Sequence, residues 1–78
     1  MYTECIIKFV DSGEEMYAVI KEDNKFDEKY DELIFFYGLS KEALEEAAKD
    51  GVALEGEWVV QEVLGSIDSF DDEFYMSE

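Results

Sequence analysis

The chain has 78 residues, of which 22 are acidic and six are lysine; there is no arginine and no histidine, and the formal net charge is −16. One small domain is expected at this length, and a content of 47% apolar and 15% aromatic residues excludes a disordered acidic tail as the whole molecule. No apolar run approaches the ~20 residues of a membrane span, and the absence of a basic stripe opposes direct binding to nucleic acid.

The first predicted element is a strand over residues 3–10, with Cys5, Ile7 and Phe9 on one face and Glu4, Ile6, Lys8 and Val10 on the other. Asp11-Ser12-Gly13 reads as a hairpin loop in which Gly13 takes the left-handed position. The returning strand spans 14–21, with Met16, Ala18 and Ile20 available to a core and Glu15, Tyr17 and Val19 opposite. After the polar break Glu22-Asp23-Asn24-Lys25, the spacing of Phe26, Tyr30, Leu33, Ile34 and Tyr37 predicts a helix over 27–37, ended by Gly38. The run Leu33-Ile34-Phe35-Phe36-Tyr37 also fits a strand. Ser40 is placed to cap a second helix over 41–50, with Leu39 and Leu44 at the positions of a hydrophobic staple and Gly51 as the left-handed stop. A third strand is expected over 57–64, with Trp58, Val60 and Glu62 on one face, Val59, Gln61 and Val63 on the other, and Gly65-Ser66 as its break. The predicted architecture is α+β in the order ββααβ: a three-stranded antiparallel sheet with two helices on one side. Residues 1–65 form the domain and 66–78 an acidic-aromatic tail, either frayed or a short terminal helix.

Several chemistries lack their residues. Without histidine, Ser-His-Asp and Cys-His catalysis cannot be built in their usual form. Zinc would find only Cys5 and carboxylates, no glycine run fits a phosphate loop, and an EF-hand reading from Asp68 meets Phe70 at its third position. The expectation is a protein with no catalytic step, cofactor or metal. The start of the chain has no basic region of a signal peptide, and lone Cys5 suits a reducing cytoplasm.

What remains is the acidic array. Asp27, Glu28, Asp31 and Glu32 form the densest set, Glu42, Glu45 and Glu46 a second, and Asp68, Asp71, Asp72 and Glu73 a third. Carboxylates three or four apart on a helix have Cβ atoms about 5–6 Å apart, a lattice able to lie along a lysine- and arginine-lined groove built for phosphates. Tyr30, Tyr37, Phe70, Phe74 and Tyr75 stand near the first and third sets as candidate anchors. The residues expected to bind a partner are Asp27, Glu28, Tyr30, Asp31, Glu32, Glu45, Glu46, Asp71, Asp72 and Glu73.

The segments Phe26-Asp27-Glu28-Lys29-Tyr30-Asp31-Glu32, Tyr37-Gly38-Leu39-Ser40, Glu45-Glu46-Ala47-Ala48 and Gly56-Glu57-Trp58 together resemble a phage anti-CRISPR family that blocks type I-F interference. The resemblance covers residues 14–60. It implies a ββααβ fold and mimicry of DNA at the PAM-recognition site of the Cascade large subunit. It also implies that Asp27, Glu28, Asp31 and Glu32 contact a basic subunit surface.

The expected function is therefore that of an acidic DNA mimic encoded by a phage or mobile element. It would act in the cytoplasm of an infected bacterial host, as a monomer or small homo-oligomer, on a basic nucleic-acid-binding protein or Cas effector subunit. A mimic directed at a restriction, repair or nucleoid protein is the nearest alternative. A non-mimic acidic interaction module, binding through a sheet edge or its aromatics, is the alternative of another class.

Overall fold

The structure is a computed structural model and describes residues 2–67. Strands β1 (Tyr2–Phe9) and β2 (Glu15–Lys21) form an antiparallel hairpin, β3 (Phe36–Tyr37) is a two-residue strand, α1 spans Lys41–Asp50 and β4 spans Trp58–Ile67. The sheet order is β3-β2-β1-β4, with β3 parallel to β2 and the other pairings antiparallel.

The α+β class is as expected, but the layout of three antiparallel strands and two helices is not. Residues 27–37 form no α-helix: a single 3-10 turn at Asp31–Leu33 is followed by β3. Three physical causes act together. On a helix, Asp27 with Asp31 and Glu28 with Glu32 would be like-charge pairs four apart, which destabilise it. The Asp27 carboxylate instead accepts the backbone N–H groups of Lys29 (3.2 Å) and Tyr30 (3.4 Å), closing a local turn that competes with helix. Ile34, Phe35, Phe36 and Tyr37 are β-branched or aromatic and suit a pleated, half-buried edge. Phe35 N–H donates to the Val19 carbonyl (2.7 Å) and Gly38 N–H to the Lys21 carbonyl (2.8 Å), bracketing β3 against β2.

The hairpin and α1 follow their sequence signals. Gly13 closes the hairpin at φ 77°, with its N–H bonded to the Phe9 carbonyl at 2.8 Å. The Ser40 side chain accepts the Ala43 N–H at 3.1 Å, and Gly51 ends α1 in the left-handed conformation. Leu39, partly buried, packs against the main core that contains Leu44.

β4 is longer than expected and out of phase with simple alternation. Its register against β1 skips Gln61 and Leu64, two bulges. Each extra residue reverses the face sequence that follows. Val63 consequently faces the core with Trp58 and Val60, whereas Glu62, assigned to that face by alternation, is exposed. The strand also continues through Gly65-Ser66 to Ile67.

The two connections cross opposite faces of the sheet. The main core lies under α1 and contains Cys5, Ile7, Ala18, Ile20, Leu44, Trp58 and Val60, joined by Phe35 and Phe36 edge-on to Trp58 at 5.2 and 5.5 Å. Met16, which shares the face of Ala18 and Ile20, remains exposed. On the other face, the β2–β3 connection places Tyr30, Leu33 and Ile34 over Tyr2 and Val19, a second, smaller cluster. The predicted terminal helix or tail beyond Ile67 lies outside the described residues.

Candidate binding surface

The β2–β3 connection is fixed by polar bonds that begin at a buried cation. Lys21 is largely buried, and its Nζ donates to the Lys25 carbonyl (2.7 Å) and pairs with Asp23 (3.5 Å). Asp23 in turn accepts the Lys25 N–H at 2.8 Å, which holds its carboxyl below the ordinary aspartate value. Two residues on, Asp27 accepts the Tyr2 hydroxyl as well as the two backbone N–H groups described above. That hydroxyl is the leading cause of a lowered Asp27 pKa. Burial first, and the Asp27 carboxylate second, push the Tyr2 phenol well above its usual value. Tyr2 also meets Tyr30 edge-on at 6.1 Å.

This scaffold sorts the expected site residues by role. Asp27 is a half-buried clasp between connection and sheet, and Tyr30 packs in the second cluster with Lys29 Nζ 5.2 Å from its ring centre. Glu28, Asp31 and Glu32 are exposed, and Asp31 accepts the Tyr37 hydroxyl at 3.3 Å. Glu45 and Glu46 are exposed on α1, on the opposite side of the sheet from Asp27–Glu32. The first set therefore does not have the helical carboxylate spacing expected of it, whereas Glu42, Glu45 and Glu46 do. Asp71, Asp72 and Glu73 lie outside the described residues.

Glu22 directly follows β2 and is exposed. It lines a shallow groove with Ser40, Lys41, Glu42, Glu45 and Ser66. Among the described residues, no three acidic or cysteine side chains are grouped to hold a metal ion, and no helix is long and apolar enough to cross a membrane.

Two features escaped sequence reasoning. Lys21, given no role by the sequence reading beyond the end of the second strand, organises the connection; the signal is its position just before a run of acids, opposite Tyr2 in the β1–β2 register. Phe26, assigned by helical spacing to an apolar face, is 63% exposed. It stacks on Tyr37 with ring centres 6.4 Å apart and planes inclined by 28°.

No family model, curated protein or solved structure matches the chain.

Proposed function

We infer that this protein binds a cationic protein surface, and that the surface it occupies is one that otherwise holds nucleic acid. The observation that supports this most directly is the polar-bonded β2–β3 connection, which presents Glu28, Asp31 and Glu32 to solvent from a fixed backbone. A net charge of −16 far exceeds the magnitude of about 2–8 that solubility of a small domain needs. Uncompensated charge of one sign accelerates encounter with a surface of the other and repels wrong partners. A prepositioned backbone lowers the ordering cost of binding.

The sharper form of this reading is a DNA-mimic inhibitor, carried by a phage or mobile element, whose target is a CRISPR effector in the bacterial cytoplasm. It is supported by the sequence resemblance of residues 14–60 and by the charge, and not by the fold, which differs from the ββααβ order that the resemblance implies. In both forms the protein acts by occupancy, with no chemical step.

Affinity capture of basic nucleic-acid-binding complexes at low salt, followed by competition with duplex DNA, tests the reading. The expected result is capture that weakens steeply with salt and is mutually exclusive with DNA. The doubly reversed variant Asp31→Lys with Glu32→Lys should lose capture and keep the circular dichroism spectrum of the parent. Binding that is indifferent to salt and to this double reversal would identify a non-mimic interaction module instead.

A further inference from the structure

We propose that Phe26, stacked on Tyr37, whose hydroxyl is bonded to Asp31, is part of a seat for an arginine side chain of the basic partner. The proposal rests on the reading of the acidic surface given above and adds the residue type that is recognised.

Phe26 is the most exposed of the large apolar side chains in the described residues, at 63%, yet its backbone is not loose. The preceding residue, Lys25, is held at its carbonyl by Lys21 Nζ and at its N–H by Asp23. The following residue, Asp27, is bonded to Tyr2, Lys29 and Tyr30. An aromatic ring presented from fixed flanks offers contact area with little further ordering on binding.

The ring does not stand alone. Tyr37 comes from β3, the shortest strand, and its ring plane is inclined by 28° to that of Phe26. The Tyr37 hydroxyl donates to Oδ1 of exposed Asp31, so a carboxylate stands at the hydroxyl edge of the Tyr37 ring. One bond to Tyr37 leaves most acceptor positions of that carboxylate available.

A π-face beside a carboxylate matches guanidinium better than ammonium. Guanidinium is planar and weakly hydrated, stacks on aromatic faces and presents a fork of donors to a carboxylate. Ammonium gains the charge attraction without the stacking geometry. The chain itself has no arginine to occupy the seat. A cation already rests against an aromatic in the same connection, Lys29 over Tyr30.

Titration calorimetry with nona-arginine and nona-lysine peptides at low salt tests the seat. The full chain is compared with Phe26→Ala and Asp31→Asn, each checked for an unchanged thermal midpoint and amide spectrum. The parent should prefer nona-arginine by about fivefold. Phe26→Ala should bring the two affinities together by weakening the arginine peptide and sparing the lysine peptide, and Asp31→Asn should reduce the same preference. Equal affinities in the parent, or a preference that survives Phe26→Ala, would overturn the seat while leaving the acidic-surface reading in place. If neither peptide binds, both fall.

Discussion

Asp27 is the residue at which electrostatics and local structure are joined. Its carboxylate takes the Tyr2 hydroxyl and two backbone N–H groups, so the folded state favours the ionised form and its pKa is lowered. A depressed carboxyl contributes stability that is fully present above the unfolded value of about 3.9 and is lost as pH falls through the folded one. Elsewhere on the molecule, protonation relieves repulsion and works the other way. The comparison that isolates Asp27 is therefore with Asp27→Asn. The parent should have the higher urea midpoint at pH 6, and its advantage should shrink as pH is lowered below about 4. A constant difference across that range would mean that the Tyr2 bond does not depend on charge. Cys5 illustrates the opposite case: burial alone raises its thiol to about 11, so it is a packing residue, in keeping with its place beside Ile7 in the core.

At the scale of elements, α1 and β3 are stabilised by different means. Helix α1 has a cap, a left-handed stop and one fully buried side chain, Leu44, at 0% exposure. Leu44→Ala should cost about 2–5 kcal/mol in urea unfolding, since it removes a large side chain from a site walled by the sheet. β3 has only two residues and depends on the backbone bonds that bracket it. Gly38 makes the exit from β3 at φ 99°, a left-handed backbone that a side chain strains, whereas the Asn24 side-chain oxygen that a Cβ would meet belongs to an exposed side chain able to turn away. Gly38→Ala should therefore cost about 1–3 kcal/mol, and the loss should appear as faster amide exchange in residues 34–37 rather than in the β1–β2 hairpin. The hairpin, the Ser40 cap and the α1 stop were legible in sequence because each depends on neighbours within a few residues. The helix expected over 27–37 did not form, and the strand alternative for Leu33–Tyr37 holds at Phe36–Tyr37. The apolar spacing of this segment fits a helix, but its partners are Tyr2, Val19 and Lys21, which no local window contains. The bulges of β4 were invisible for the same reason, because register belongs to a pair of strands.

For the molecule as a whole, the same carboxylates that suit a cationic partner burden the fold. Like charges in a compact state repel, and salt screens them. The melting temperature should rise between low salt and about 0.5 M sodium chloride, where the Debye length is roughly 4 Å. A flat or falling curve would show that the carboxylates are too dispersed to repel appreciably. Of the candidate site, sequence identified the exposed acids Glu28, Asp31, Glu32, Glu45 and Glu46, but it could not distinguish them from Asp27, whose carboxylate is used internally. Nor could it show that Phe26 is exposed on Tyr37 while Tyr30 is packed inward. The sequence alone determined the charge, the absence of histidine chemistry, the hairpin and the capped helix, because composition and short-range hydrogen bonding are written in adjacent residues. Tertiary structure alone decided that the acids of Asp27–Glu32 and of α1 lie on opposite faces, since that depends on which side of the sheet each connection crosses.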